Sequence, residues 1–314
     1  MKLLVTGGAG FIGSHLNDFL LAKGHEVIVF DNLSWGKKKF IFHNLKNPRF
    51  KFIQIDLLDY RKLLKNLDEN IDTVFHLAAN SDIMRGMETP DIDFDNTLVA
   101  TFNLLKALRE KGIKKIFFTS GSGVYGNFGS KFASESHGPL LPVSMYGATK
   151  LGAEAIITSF VNLYDMQAWI LRPANIVGPR STHGVILDFI KGLRKYGSHL
   201  RILGSGRQYK SYLYIKDVIK AIYIIWQKGQ KRINLYNLSS DSYVTVNNIA
   251  KIIVSRMGQK KVKFIKTGGG GGWKGDVPIV KLDNKKIKKL GWEPEYTSEE
   301  AIKKTVNLLL KNNA

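Results

Sequence analysis

The sequence predicts an α/β fold: a doubly wound parallel sheet followed by a smaller α/β lobe. Short, unbroken apolar runs recur through the first half, at residues 3–5, 27–30, 52–55, 74–77 and 116–118. They do not alternate with polar residues, which suits parallel strands covered on both faces. Helical periodicity fills intervals between them, at 11–21 and 98–108. Strand and helix in alternation argue for βαβ units.

The elements follow in order. The first strand reads Leu3-Leu4-Val5, and the helix after it begins at Phe11. A long helix is predicted over 145–164, and a strand over 168–171 stops at Pro173. Beyond Asn175 the pattern loosens into helices at 185–195, 216–226, 246–257 and 299–310 and short strands at 201–203, 234–238 and 262–265. Five consecutive glycines, 268–272, predict a loop. The predicted division is 1–174 for the first domain, with 211–230 packing back onto it, and 175–314 for the second lobe, a cleft between them being the default site.

Composition narrows the class. The chain has 314 residues and no cysteine, so disulfides and thiolate metal sites are excluded and no metal site is expected. No apolar run approaches the roughly 18 residues of a membrane helix. The expected location is the cytoplasm, with no membrane partner. The net charge is +21. Such charge can mark a nucleic-acid footprint. Here the lysines lie in scattered runs, at 37–39, 260–266 and 285–289, and none is interleaved with aromatics as a stacking platform would be. A solvated basic surface is the expectation, with no nucleic-acid partner.

Thr6-Gly7-Gly8-Ala9-Gly10-Phe11-Ile12-Gly13 joins the first strand to the first helix. Gly7 permits the tight turn, Gly10 lets a pyrophosphate approach backbone, and Gly13 lets the helix pack close. The helix N-terminus then offers its unsatisfied N–H groups to phosphate. Asp31 ends the second strand about 20 residues on, where a carboxylate accepts ribose hydroxyls and repels a 2′-phosphate. A Rossmann-type domain binding NAD rather than NADP is therefore expected.

Tyr146 and Lys150 lie one helical turn apart and share a face. A neighbouring ammonium, together with the positive nicotinamide, is expected to lower the tyrosine below its ordinary value near 10. The phenolate would then take a proton from a substrate hydroxyl as hydride leaves the same carbon.

With these pieces in place, the sequence resembles the extended short-chain dehydrogenase/reductase family, in its NAD-dependent epimerase/dehydratase branch. The likeness is to nucleotide-sugar epimerases of the UDP-glucose 4-epimerase type, archaeal members especially. It is carried by 6–13, Asp31-Asn32-Leu33-Ser34, Asp56-Leu57, His76-Leu77-Ala78-Ala79, Val124-Tyr125-Gly126, Tyr146-Gly147-Ala148-Thr149-Lys150, Arg172-Pro173-Ala174-Asn175, His183-Gly184-Val185-Ile186 and Trp273-Lys274-Gly275-Asp276. The resemblance implies a cofactor set of Gly7, Gly10, Phe11, Ile12, Asp31, Asn32, Ser34, Gly36, Asp56, Leu57, Leu77, Ala78, Ala79, Thr119, Tyr146, Lys150 and Pro173. It implies that Asn175, Val185, Ile186, Leu203, Gln208, Lys210 and Asp276 hold a UDP-sugar. Lys210 stands where the family usually has arginine and would be a point-charge phosphate ligand. Asp276 would bind a ribose or orient a phosphate-binding group.

Three positions depart from the pattern. Gly121 stands where a Ser or Thr hydroxyl usually bridges substrate and tyrosine. Ser122 is the expected substitute, in both catalysis and substrate binding, through a shifted backbone or a water, with Ser120 the other choice. Thr97 replaces an Asn on the helix after the fourth strand. Gly271 replaces an Arg ahead of the Trp-Lys-Gly-Asp segment, where Lys274 could compensate. The implied reaction is epimerisation at C4 of a UDP-sugar through a 4-keto intermediate. A 4,6-dehydratase or decarboxylase is a second reading, although Ser122-Gly123 stands where dehydratases need Asp-Glu. A catalytically weak NAD-binding sensor is a third. A homodimer is expected, with Leu104, Leu108 and Ile157 facing either a partner or the sheet.

Overall fold

The computed structural model describes residues 1–311; the last three residues of the predicted second lobe lie outside them. The elements run β1 (Lys2–Thr6), α1 (Phe11–Ala22), β2 (Glu26–Asp31), β3 (Phe50–Gln54), α2 (Tyr60–Asn66), β4 (Thr73–His76), α3 (Ile83–Glu88), α4 (Pro90–Asp93), α5 (Ala100–Glu110), β5 (Lys115–Thr119), α6 (Met145–Tyr164) and β6 (Gln167–Pro173). The chain continues with β7 (Asn175–Val177), α7 (Val185–Tyr196), β8 (His199–Ile202), β9 (Tyr209–Lys210), β10 (Tyr212–Tyr214), α8 (Ile215–Lys228) and β11 (Ile233–Leu238). It ends with β12 (Val244–Thr245), α9 (Val246–Arg256), β13 (Lys263–Lys266), β14 (Ile279–Val280), α10 (Lys285–Lys288) and α11 (Ser298–Lys311).

Seven parallel strands form the main sheet in the order β11-β6-β5-β4-β1-β2-β3. The order reverses between β1 and β4, and such a switch point opens a crevice at the carboxyl ends of the strands. The strands alternate their buried side chains between two apolar layers. Leu3, Val5, Val29 and Phe117 join one, on the side of α1 and α8. Leu4, Ile28, Val74 and Phe118 join the other, beneath α5 and α6. This two-sided burial explains why the strands read as continuous apolar runs.

Three sequence expectations change. The strand 233–238, which a division at residue 174 leaves in the second lobe, is the outermost strand of the main sheet, paired with β6. Its short run, interrupted by Asn234 and Asn237, gives no local hint of a partner more than sixty residues away. The helix predicted from 98 begins at Ala100, because 94–99 winds as a π-helical turn around Thr97. Leu104, Leu108 and Ile157 are fully buried in the layer against the sheet, which settles them on the sheet rather than a partner. The exposed large apolar side chains on these helices are Phe102, Leu163 and, at the first residue of α6, Met145. The predicted back-packing of 211–230 corresponds to α8, where Tyr223 meets Phe19 of α1 edge-on at 5.2 Å.

A candidate nucleotide cleft and its tyrosine–lysine pair

One cleft of about 1090 Å³ runs over the carboxyl ends of the strands and under the second lobe. Every residue that the sequence reading assigned to cofactor, substrate or catalysis lines it. Its wall at the switch point is the glycine turn. Gly7 has φ +70°, and a Cβ there would meet the Ala78 backbone nitrogen at 2.7 Å. A Cβ on Gly13 would collide with the Gly7 carbonyl, so α1 can sit close only without one. At Gly10 the nearest obstacle would be the Gly7 carbonyl oxygen at 3.1 Å, leaving the N-terminus of α1 open to the cleft. Gly10 caps α1 with no side chain across its N–H groups. That is the cradle a pyrophosphate needs.

Asp31 closes the adenosine end. Its Oδ2 accepts from Ala9 N at 2.9 Å and its Oδ1 from Leu33 N at 2.8 Å. Burial pushes this carboxyl above its ordinary range, and the two backbone donors oppose that. A Cβ on Gly36 would come within 2.6 Å of Asp31 Oδ1, so the loop after β2 wraps tightly round the carboxylate. Asn32 donates to Asp56 Oδ2 at 3.1 Å and ties the adenine side of the cleft together. These residues fit NAD: an open helix terminus for diphosphate and a fixed acceptor for ribose hydroxyls.

At the other end, Ser144 caps α6 by accepting from Gly147 N at 3.1 Å, and the helix carries Tyr146 and Lys150 into the cleft. Lys150 Nζ donates to the Thr119 carbonyl at 2.7 Å and lies 5.9 Å from the centre of the Tyr146 ring. The lysine is therefore a charge beside the ring rather than a hydrogen-bond partner of the phenol. Burial brings Lys150 down to about 8, with Glu154 and Asp93 opposing. Tyr146 is pushed up to about 12 by burial and by the Asp93 charge. Burial and Asp93 thus hold the phenol up in the chain alone, and the expected lowering falls to the nicotinamide charge beside the ring.

Gly121 sits directly beside that phenol. It is buried, in extended backbone, and a Cβ built on it would lie 3.2 Å from Tyr146 Oη. Ser122 lines the cleft at the start of a short 3-10 turn, and Ser120 is buried with its hydroxyl unpartnered. The direction in which a bridging hydroxyl would point still belongs to position 121.

In the second lobe, β9 and β14 pair in parallel, and Asp276, beyond the glycine run, accepts from Lys210 Nζ at 2.5 Å and from Gly272 N at 2.8 Å. Of the two roles weighed for Asp276, the geometry matches orienting the Lys210 ammonium. Gln208 donates to the Leu203 carbonyl at 2.9 Å, and its buried Oε1 has no partner among the described residues. Lys274 is exposed and outside the lining, so it does not compensate for Gly271.

The sequence reading did not single out several residues of this region. Arg85 lies 5.5 Å above the Trp35 ring, and His183 lies 6.0 Å from it, bridging the loop after β2, α3 and the loop before α7 at the cleft mouth. A tryptophan directly after Asp31-Asn32-Leu33-Ser34 was the available signal. Arg172, paired with Glu154 at 2.5 Å, also donates to Tyr125 Oη, which donates to Asn237 at 2.7 Å. Motif residues of β6 and of the turn after β5 thus form one buried network with α6 and β11. His76 lies under the glycine turn between Thr6 Oγ1 at 2.7 Å and Thr101 Oγ1 at 2.9 Å.

Burial, with the Lys150 charge, lowers His76 from 6.5 to about 3. The unfolded chain then binds the extra proton first, so this histidine's contribution is whole above pH 6.5 and is lost as pH falls toward 3. The stability gap between the native chain and His76→Gln should shrink by about 1.4 kcal/mol per pH unit over that window. Urea unfolding of both proteins across the window checks it, and a gap independent of pH would contradict it.

Residues 3–239 match the NAD dependent epimerase/dehydratase family. The chain belongs to that family. It is 37% identical to a crystallised UDP-galactose 4-epimerase, with a TM-score of 0.88 and 99% of each chain covered. It is 32% identical to the UDP-glucuronate 4-epimerase of Thermodesulfobacterium geofontis, over 98% of this chain and 96% of that one. A dTDP-glucose 4,6-dehydratase from Streptomyces venezuelae, crystallised with NAD, is 27% identical with a TM-score of 0.91 over 100% of this chain and 98% of that one. The family accounts for the parallel sheet, the glycine turn and the tyrosine–lysine pair at once. Among the described residues no helix is long and apolar enough to cross a membrane.

Proposed function

We propose that the protein interconverts UDP-sugars by inverting C4, with UDP-galactose and UDP-glucose as its substrates and NAD held in the cleft. The observation that carries this reading is the Tyr146–Lys150 pair in the same cleft as the Asp31 and glycine-turn cradle and the Lys210–Asp276 pair. Gly7, Gly10 and Asp31 would hold the cofactor's diphosphate and ribose, with Pro173 and Thr119 along its other end. NAD, when bound, supplies the two-electron acceptor and donor and a positive charge beside the phenol.

This chain's residues do the rest. Tyr146 Oη takes the proton of the C4 hydroxyl as the carbonyl forms and returns it when the carbonyl is reduced. Lys150 favours the phenolate by its charge. Lys210, steered by Asp276, and Asn175 hold the substrate diphosphate. Gln208 Oε1, Leu203, Val185 and Ile186 receive the uridine. No redox partner is consumed, because the hydrogen leaving C4 comes back to C4.

Dehydration is the less favoured reading for a specific reason. A Cβ on Gly123 would lie 3.6 Å from Tyr146 Cδ1, so position 123 faces the ring and carries no acid. Asp93 and Glu154, buried behind the ring, do not line the cleft. Purified protein with NAD should therefore convert UDP-galactose to UDP-glucose without forming a 6-deoxy-4-keto sugar. Preferential turnover of UDP-glucuronate or dTDP-glucose would overturn the substrate assignment. We also propose a homodimer through the outer faces of α5 and α6, where Phe102 and Leu163 are exposed. Sedimentation at micromolar concentration should show a dimer that Leu163→Asp weakens; a native monomer would contradict it.

A further inference from the structure

Behind the Tyr146–Lys150 pair lies a carboxylate that the proton transfer does not use. Asp93 ends α4 and is fully buried. Its Oδ1 accepts from Asn80 Nδ2 at 2.8 Å, while its Oδ2 has no partner among the described residues. Gly86 of α3 faces it so closely that a side chain at 86 would collide with Oδ2. A buried carboxylate left half-bonded is costly unless opposite charge compensates it.

The surrounding charges show which cation that is. Glu154 and Arg172 neutralise each other through a bidentate contact. His76 is held neutral between two threonines. Asp82, ahead of α3, faces Asp93 but is turned to cap α3 through Met84 N and Arg85 N. That leaves Lys150, buried, with one carbonyl as its hydrogen-bond acceptor. Glu154, even paired with Arg172, raises Lys150 more than Asp93 does, but of the two carboxylates only Asp93 acts on both members of the catalytic pair, raising Lys150 and Tyr146 alike.

We propose that Asp93 is a positioning residue, the buried counter-charge that keeps Lys150 an ammonium beside Tyr146, with Asn80 relaying its orientation from the cleft wall. The proposal deepens the epimerase reading and rests on it for the role of Lys150. Asp93 thereby sets where the pair works on the pH axis. It protects the lysine charge at alkaline pH and holds the phenol high at neutral pH. Removing its charge should move both groups down together.

The test uses the NAD-loaded protein and the isosteric Asp93→Asn. Both limbs of the kcat–pH profile should move to lower pH, by about one unit. The tyrosinate absorbance step that disappears in Tyr146→Phe should move down by a similar amount. A kcat lowered equally at every pH, with limbs and tyrosinate step unmoved, means a merely structural role and overturns the proposal. Asp93→Ser, smaller and uncharged, should give the same shifts if the Asn variant does not fold. The tyrosinate step is read without substrate. A protein that turns over no UDP-sugar but shows the step moving refutes the reaction and leaves the Asp93 assignment standing; a step that stays put refutes the assignment whatever the activity.

Discussion

Tyr146→Phe is expected to lower kcat for UDP-galactose by about 10²–10⁴-fold, the range a positioned proton-transfer group contributes. The substitution keeps the ring against Gly121 and Gly123 and removes only Oη. Nothing in the sheet or in the capping of α6 depends on that oxygen, so melting should move little. NAD should stay bound, because Asp31 and the glycine turn lie at the opposite end of the cleft. Steady-state kinetics, with cofactor content measured on the same sample, checks this. A variant that retains wild-type turnover would remove Tyr146 from the proton path. A variant that loses NAD would make it a binding residue instead.

Gly121→Ser is expected to act in the opposite direction, raising kcat by about 10–10²-fold. One positioned hydrogen bond in a transition state is commonly worth about 10²-fold, and Gly121 lacks the group that would make it. The backbone there has φ −175° and ψ 162°, which any residue adopts. A Cβ would stand 3.2 Å from Tyr146 Oη and 3.4 Å from Cε1, so the phenol must give by a few tenths of an ångström. The new hydroxyl would then lie beside the phenol and the substrate's C4 oxygen. An unchanged kcat would mean that another group, such as Ser120 or Ser122, already supplies the bond. A fall would mean that the open space is itself used by the substrate.

Much of this molecule was legible in the sequence because its signals are local. The predicted helix over 145–164 coincides with α6, since a serine caps its start and Ala153, Ile157, Phe160 and Val161 recur at helical spacing on its buried face. The cofactor end was legible because glycine spacing and a strand-end carboxylate are direct statements about backbone room and ribose contact. What stayed hidden depends on which distant segments meet. The strand 233–238 carries no mark of its pairing with β6. Asp93 follows Pro90 in the first turn of a short helix, where an acidic residue ordinarily just complements the helix dipole. Only the packing of α3 and α4 beneath α6 makes it a buried neighbour of Lys150. The phenol's elevation likewise comes from burial and from Asp93, neither of which the Tyr-x-x-x-Lys spacing displays.

Inversion at C4 requires a hydrogen that leaves and returns to the same carbon. UDP-galactose deuterated at C4, incubated with the NAD-loaded protein in ordinary water, tests it most directly. The expected product is UDP-glucose with the deuterium still on C4. Absence of UDP-glucose, or product whose C4 deuterium has been replaced by solvent hydrogen, would contradict it.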